Sequence, residues 1–359
     1  MMERRLIKIL KDDLSFLTSI RAYSSFYFER NLTAPGEFQI VLGIKYAEYF
    51  KEDYYIYLSR KKAFIIENVV EDEKKNTIVV RGKDVKSILN RRITIPPAGQ
   101  AYQTLTANGE TLIKNLVNLN CVNPVDTTRV IPGLVMATNQ NRGETALWNS
   151  RYKNLAKEAE NITTLTGLGW TVEVDQVNRQ LIFDVIQGVD RSHGQSINSP
   201  VTFSKKFKNM KNALRSVNTG NYKNYAYVAG QGEGAAREVV TVTNGDDISG
   251  LKRRELVVDA RDLSTTDGLF SRGNTKLTET VIVKNSEMEI TNNNFIYEED
   301  WDLGDIVTVQ TSTGYESQRV TEVREIYEAA ETIEITTGNP SKTVAAKIKE
   351  ISTETNEIV

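Results

Sequence analysis

The chain has 359 residues, with 45 Lys and Arg against 47 Asp and Glu, giving a net charge of -2 at pH 7. At 40% hydrophobic and 26% charged residues it has the make-up of a soluble globular protein, and its length asks for two to four subdomains. A single cysteine, Cys121, and a single histidine, His193, exclude an intrachain disulfide and every two-His or Cys/His zinc site within one chain.

The same scarcity bears on catalysis and on partners. A serine or cysteine nucleophile would have to work through His193, which sits in the polar stretch Asp190-Arg191-Ser192-His193-Gly194-Gln195 and reads as an exposed loop residue. The near-balanced charge argues against a generally basic nucleic-acid binder, so no specific nucleic-acid binding is expected. Nothing approaches the ~18 uninterrupted apolar residues of a membrane span. The run Leu6 to Leu10, broken by Lys8, is too short for a signal segment. No membrane insertion is expected, and synthesis in a cytoplasm is.

In chain order, the first part reads as strands: Tyr23 to Phe28, Gly36 to Leu42, Tyr54 to Leu58, Ala63 to Val70 and Thr77 to Arg81. Aromatic and β-branched enrichment with frequent turn signals favours an antiparallel barrel or sandwich. The charged stretch Glu71 to Asn76 has the length of a hairpin loop. Asp84 is placed to cap a short helix, Val85 to Arg92, with Val85, Ile88 and Leu89 on one face. Pro96-Pro97-Ala98-Gly99 marks a first boundary.

The middle region is mixed. Leu112 to Leu119 reads as a helix ended by Asn123-Pro124, and a second helix runs from about Leu155 to Thr166, stopped by Gly167. Trp170 to Val174 and Gln180 to Val185 form a hairpin, and Ser192 to Pro200 marks a second boundary. The chain then returns to strands: Val201 to Phe203, Ala213 to Val217, Asn224 to Ala229, Arg237 to Thr243, Lys252 to Asp259, Glu287 to Ile296 and Ile306 to Gln310. Gly268 to Thr280 reads as a short helix. Arg319 to Tyr327 pairs with Glu331 to Thr336 across Glu328-Ala329-Ala330. The expected fold is α+β, mostly β. Two barrel-like domains, 1–95 and 201–345, flank a mixed domain at 96–200, and a charged C-terminal tail covers 346–359.

No motif selects a catalytic, metal or cofactor site, and none is assigned. Gly230-Gln231-Gly232-Glu233-Gly234 looks like a phosphate loop but is followed by strand-like residues, so it reads as a glycine-dependent turn. Glu298, Glu299, Asp300, Asp302 and Asp305 lack calcium-loop spacing and read as a solvated acidic turn. The clusters Lys205-Lys206-Phe207-Lys208 and Lys252-Arg253-Arg254 read as solvated faces or intersubunit contacts.

Four stretches together resemble siphophage and prophage tail-hub proteins, the hub region of tail-associated lysins. They are Phe28-Glu29-Arg30 through Pro35-Gly36-Glu37-Phe38, Arg81 through Ile93, Val228 through Gly234 with Arg237, and Asp302 through Val307. That family is similar in fold to the central baseplate hub of contractile-tailed phages. The resemblance implies a homotrimer whose paired barrel-like domains form a pseudo-six-fold ring. Such a ring adapts the hexameric tail tube to three-fold tip components. It implies a structural, non-catalytic role at the virion tail tip. The implied partners are a distal tail protein ring, a fibre, spike or lysin component, and the tape measure protein. DNA leaving through such a ring calls for a lumen rich in Asp and Glu. The alternatives are a two-carboxylate cell-wall glycosidase and a glycan- or receptor-binding module using Tyr54, Tyr55 and Tyr57.

Overall fold

The structure is a computed structural model that describes residues 4–338, so the tail at 346–359 lies outside the described residues. The N-terminal strands are built on strict alternation. In Tyr23–Asn31, Phe26 and Phe28 point inward, while Tyr27 and Glu29 lie on the opposite face. Glu37–Gly43 buries Phe38, Ile40 and Leu42, and Thr77–Asp84 buries Ile78 and Val80. Period-two burial of this kind is what a sheet with one covered face demands. The rings of Phe28, Phe38 and Phe64 meet at 4.8 and 5.5 Å in the middle of this core.

Tyr23–Asn31 has a second partner. Its outer edge pairs antiparallel with Gly314–Tyr327, placing Phe26 to Asn31 opposite Tyr327 to Glu322. That strand continues to Glu331–Gly338, then Val283–Ile290, then the edge strand Met210–Asn218. The first and last thirds of the chain therefore share one 13-stranded sheet. The expected barrel-like domains are not closed barrels. Among the described residues no barrel closes, because the edge that would complete the N-terminal barrel is taken by Gly314–Tyr327.

The middle region forms a separate layer. Helix α1 (Gly109–Val117) is capped by Asn108, whose side chain accepts from the Thr111 N–H. Helix α2 (Leu155–Thr166) is capped by Asn154 and ends at Gly167, which takes the left-handed conformation at φ 74°. Both pack with the hairpin Gly169–Asp175 and Gln180–Ile186 and with the paired strands Gln103–Asn108 and Thr145–Ser150. Their core is continuous with Val85, Ile88 and Leu89 of the 3-10 turn Val85–Arg91. That turn is the joint between the N-terminal strands and the middle layer.

The expected Asp84 cap is not made. Asp84 stands at the N-cap position, but its side chain makes no capping hydrogen bond. Burial is the reason, since Asp84 is only 8% exposed and its carboxylate is turned into the joint between layers. Helix α3 (Thr266–Thr278) covers one face of a small three-stranded sheet, Tyr225–Ala229, Val239–Thr243 and Glu255–Asp259. Gly273 allows that approach, because a Cβ there would sit 2.6 Å from Val242 and 2.8 Å from Val228.

Candidate functional site

The residues singled out in the sequence are used structurally. His193 is exposed, and its backbone N–H donates to Thr308 Oγ1 at 2.8 Å. Cys121 is fully buried, and burial pushes its thiol up to about 12, far from a reactive thiolate. In the Gly230–Gly234 loop, Gly232 and Gly234 have positive φ, and Arg237 folds back to donate to the Gly230 and Ala229 carbonyls. The loop is a braced turn entering a strand.

The acidic turn near Trp301 is likewise committed. Asp305 accepts from the Val189 and Asp302 N–H groups and from Arg191 at 3.0 Å. Asp302 pairs with Arg30 at 3.0 Å and with Lys61 at 2.9 Å. Glu298 pairs with Lys62 at 2.7 Å. Lys62 is 1% exposed and also meets the equally buried Glu325 at 2.7 Å. This ionic cluster ties the strand Lys62–Asp72 to the C-terminal strands. Tyr55, offered as an exposed contact, is 8% exposed and belongs to the core shared with the middle layer, which removes it from any glycan platform.

The most distinctive charged surface is one that motif reading does not single out. It lies where the 13-stranded sheet turns its uncovered face outward. Cross-strand register aligns Glu29, Arg324, Glu334, Glu289 and Lys211 in one row across five strands. The neighbouring row runs Asn31, Glu322, Thr336, Glu287 and Leu214. A cleft of about 340 Å³ opens over these rows, lined by Glu29, Glu287, Glu289, Glu322 and Glu334 with Arg324 as the one cation among its lining residues.

The electrostatics follow from that crowding. Arg324 lies 3.7 Å from Glu29 and 3.7 Å from Glu334, so one guanidinium is divided between two carboxylates. At the rim, Lys211 reaches Glu289 at 3.5 Å, and Asn212 donates to the same carboxylate at 3.0 Å. Among the described residues Glu322 receives a single hydrogen bond, from Asn31 at 3.2 Å, with Arg324 as its nearby cation. Burial, then the charges of Glu29 and Glu287, push its carboxyl up to about 8. Burial pushes Glu29 up as well, against the pull of Arg324. A single-sequence signal for this face exists: Glu287 and Glu289 alternate with buried Ser286, Met288 and Ile290. The register that collects five glutamates from four strands is not visible there.

Comparison with known proteins places the chain. None of the curated proteins compared with it matches. Three solved tail proteins share its fold. Prophage tail protein gp18 from Listeria monocytogenes EGD-e matches at 12% identity and TM-score 0.57, over 97% of this chain and 98% of that one. The 43 kDa tail protein of prophage MuSo2 from Shewanella oneidensis matches at 13% identity and TM-score 0.57, over 93% and 98%. A tail protein from Neisseria meningitidis MC58 matches at 12% identity and TM-score 0.55, over 92% and 95%. The profile of the siphovirus ReqiPepy6 Gp37-like proteins matches residues 6–339, nearly the whole chain, and the chain belongs to that family.

Proposed function

We propose that this protein is a structural hub at the tip of a phage or phage-like tail. Three copies form a ring that adapts the six-fold tail tube to three-fold tip components. Residues 1–95 and 201–345 serve as the two hub domains of each copy. The ring sits between a distal tail protein ring and a fibre, spike or lysin component, and receives the tape measure protein. Its role is assembly and conduction, not catalysis.

The observation that carries this reading is the acidic outer face of the shared sheet. A surface over which DNA must slide gains from being unable to hold it. Basic side chains on a DNA path release counterions and bind phosphates tightly. These rows hold five glutamates against Arg324 and, at the rim, Lys211, and even with Glu322 mostly protonated at neutral pH the remaining four carboxylates outnumber the two cations. In the ring this face lines the channel. A sheet that spans both ends of the chain also supports a hub, since it makes one rigid wall from two separate segments.

Light scattering on the purified chain tests the assembly. The reading expects a species of about three times 40.4 kDa. A stable monomer that also fails to enter a ring with its tail partners would overturn it. The DNA side of the proposal is tested by the quadruple change of Glu287, Glu289, Glu322 and Glu334 to Lys. That ring is expected to retain double-stranded DNA in a salt-dependent way, whereas the wild-type ring does not.

A further inference from the structure

The joint between the shared sheet and the middle layer holds a buried carboxylate whose hydrogen bonding the protein leaves unfinished. Asp84 ends the strand Thr77–Asp84 and is 8% exposed, yet its Oδ1 has no partner among the described residues. It lines a small cavity together with Arg30, Lys61, Lys86, Trp170 and Val172. Each third of the chain contributes to that lining: Asp84 and Lys86 from the first segment, Trp170 and Val172 from the middle hairpin, Leu303 from the last.

We infer that this cavity is a binding site for one ordered water molecule, which donates to Asp84 Oδ1 and joins the N-terminal strands to the middle layer. The volume fits. The cavity measures about 20 Å³, and a water needs roughly 10–15 Å³ with two to four polar partners. The partners are at hand. Lys86, 4% exposed, spends two of its three N–H groups on the carbonyls of Asn31 at 2.6 Å and Leu32 at 3.5 Å. Its third makes no hydrogen bond among the described residues, with the Trp170 ring 4.6 Å from the ammonium, and can donate into the cavity. On the middle hairpin, the Trp170 backbone N–H donates to the Leu32 carbonyl and the Val174 N–H to the Arg60 carbonyl. Alternate residues of a strand share an edge, so the Val172 N–H between them lies on the same side.

The charges around the cavity select water over an ion. Arg30, Lys61 and Lys86 disfavour a cation, and since Arg30 and Lys61 are already paired with Asp302 and Glu298, Asp84 is left to disfavour an anion. A buried carboxylate oxygen with no partner bears its full desolvation cost, and a neutral donor removes that cost without adding charge. Burial pushes the Asp84 carboxyl up to about 6, against the charge of Lys86 and the backbone N–H groups of Gly36 and Lys86.

The test is a crystal structure of the full chain at a resolution that shows internal waters, from crystals soaked in rubidium bromide. Expected is a peak without anomalous signal, within hydrogen-bonding distance of Asp84 Oδ1 and of Lys86 Nζ or the Val172 N–H. Asp84→Asn should keep the peak, and Asp84→Leu should lose it. Should Asp84→Leu fail to fold, the wild-type and Asp84→Asn maps decide alone. An empty cavity in a map that shows other internal waters would overturn the inference. So would an anomalous peak, which marks an ion, or retention of the peak in Asp84→Leu.

Discussion

Lys62 is the residue on which the union of the two ends of the chain depends most directly. It is 1% exposed and lies between Glu298 and Glu325, each at 2.7 Å, with the Tyr297 ring 4.7 Å away. Removing one partner of a buried pair strands the other charge, which costs roughly 3–5 kcal/mol. Lys62→Ala should therefore lower stability by about that amount in chemical denaturation. The paired change Lys62→Met with Glu325→Leu should recover much of the loss, because it strands no charge. Equal destabilisation by the single and double changes would show that packing, not charge, is what Lys62 supplies.

Glu322 gives a second prediction at this scale. Its carboxyl stands at about 8 in the fold against an ordinary value of 4.5, so protonation favours the folded state. The stability it contributes is complete below 4.5 and is lost as pH rises through about 8. Thermal stability should fall across that window, and Glu322→Gln should flatten the fall. An unchanged pH profile in Glu322→Gln would remove Glu322 as the group that titrates.

At the scale of elements, close backbone approach fixes the sheet as firmly as side-chain packing does. Gly82 faces Ile65, and a Cβ there would lie 1.9 Å from the Ile65 carbonyl oxygen and 2.7 Å from Phe38. The strand Lys62–Asp72 carries a bulge at this point, between Ile66 and Asn68. Gly82→Ala should cost at least the ~1–3 kcal/mol of core overpacking, read as a lowered denaturation midpoint. A neutral result would mean that the two strands separate locally without penalty.

What the sequence reveals and what it hides divide along the same physical line. Helix α2 is legible because its apolar positions repeat at helical spacing and Gly167 ends it. A strand such as Glu37–Gly43 is legible through alternation. The strands Gln103–Asn108 and Thr145–Ser150 escape such a reading. Gln, Thr and Asn make up most of the first, the second mixes Ala, Leu and Trp with polar residues without a clear period, and their order comes from pairing with each other and from packing on α1 and α3. The pairing of Tyr23–Asn31 with Gly314–Tyr327 joins residues about 300 apart and has no local signature. The acidic face depends on that pairing, so no window of sequence contains it. Only its ingredients, glutamates alternating with buried residues, are there to read.

For the whole molecule, the account turns on which way the glutamate rows face once copies assemble. Family membership and fold make a tail protein of this chain's kind the frame, and the hub reading adds a direction: the acidic face looks inward. A cryo-electron microscopy map of the assembled protein tests that most directly. The account predicts a three-fold ring whose central channel is lined by Glu29, Glu287, Glu289, Glu322 and Glu334. A ring that turns this face to the outside, or a lumen walled mainly by lysine and arginine, would contradict it.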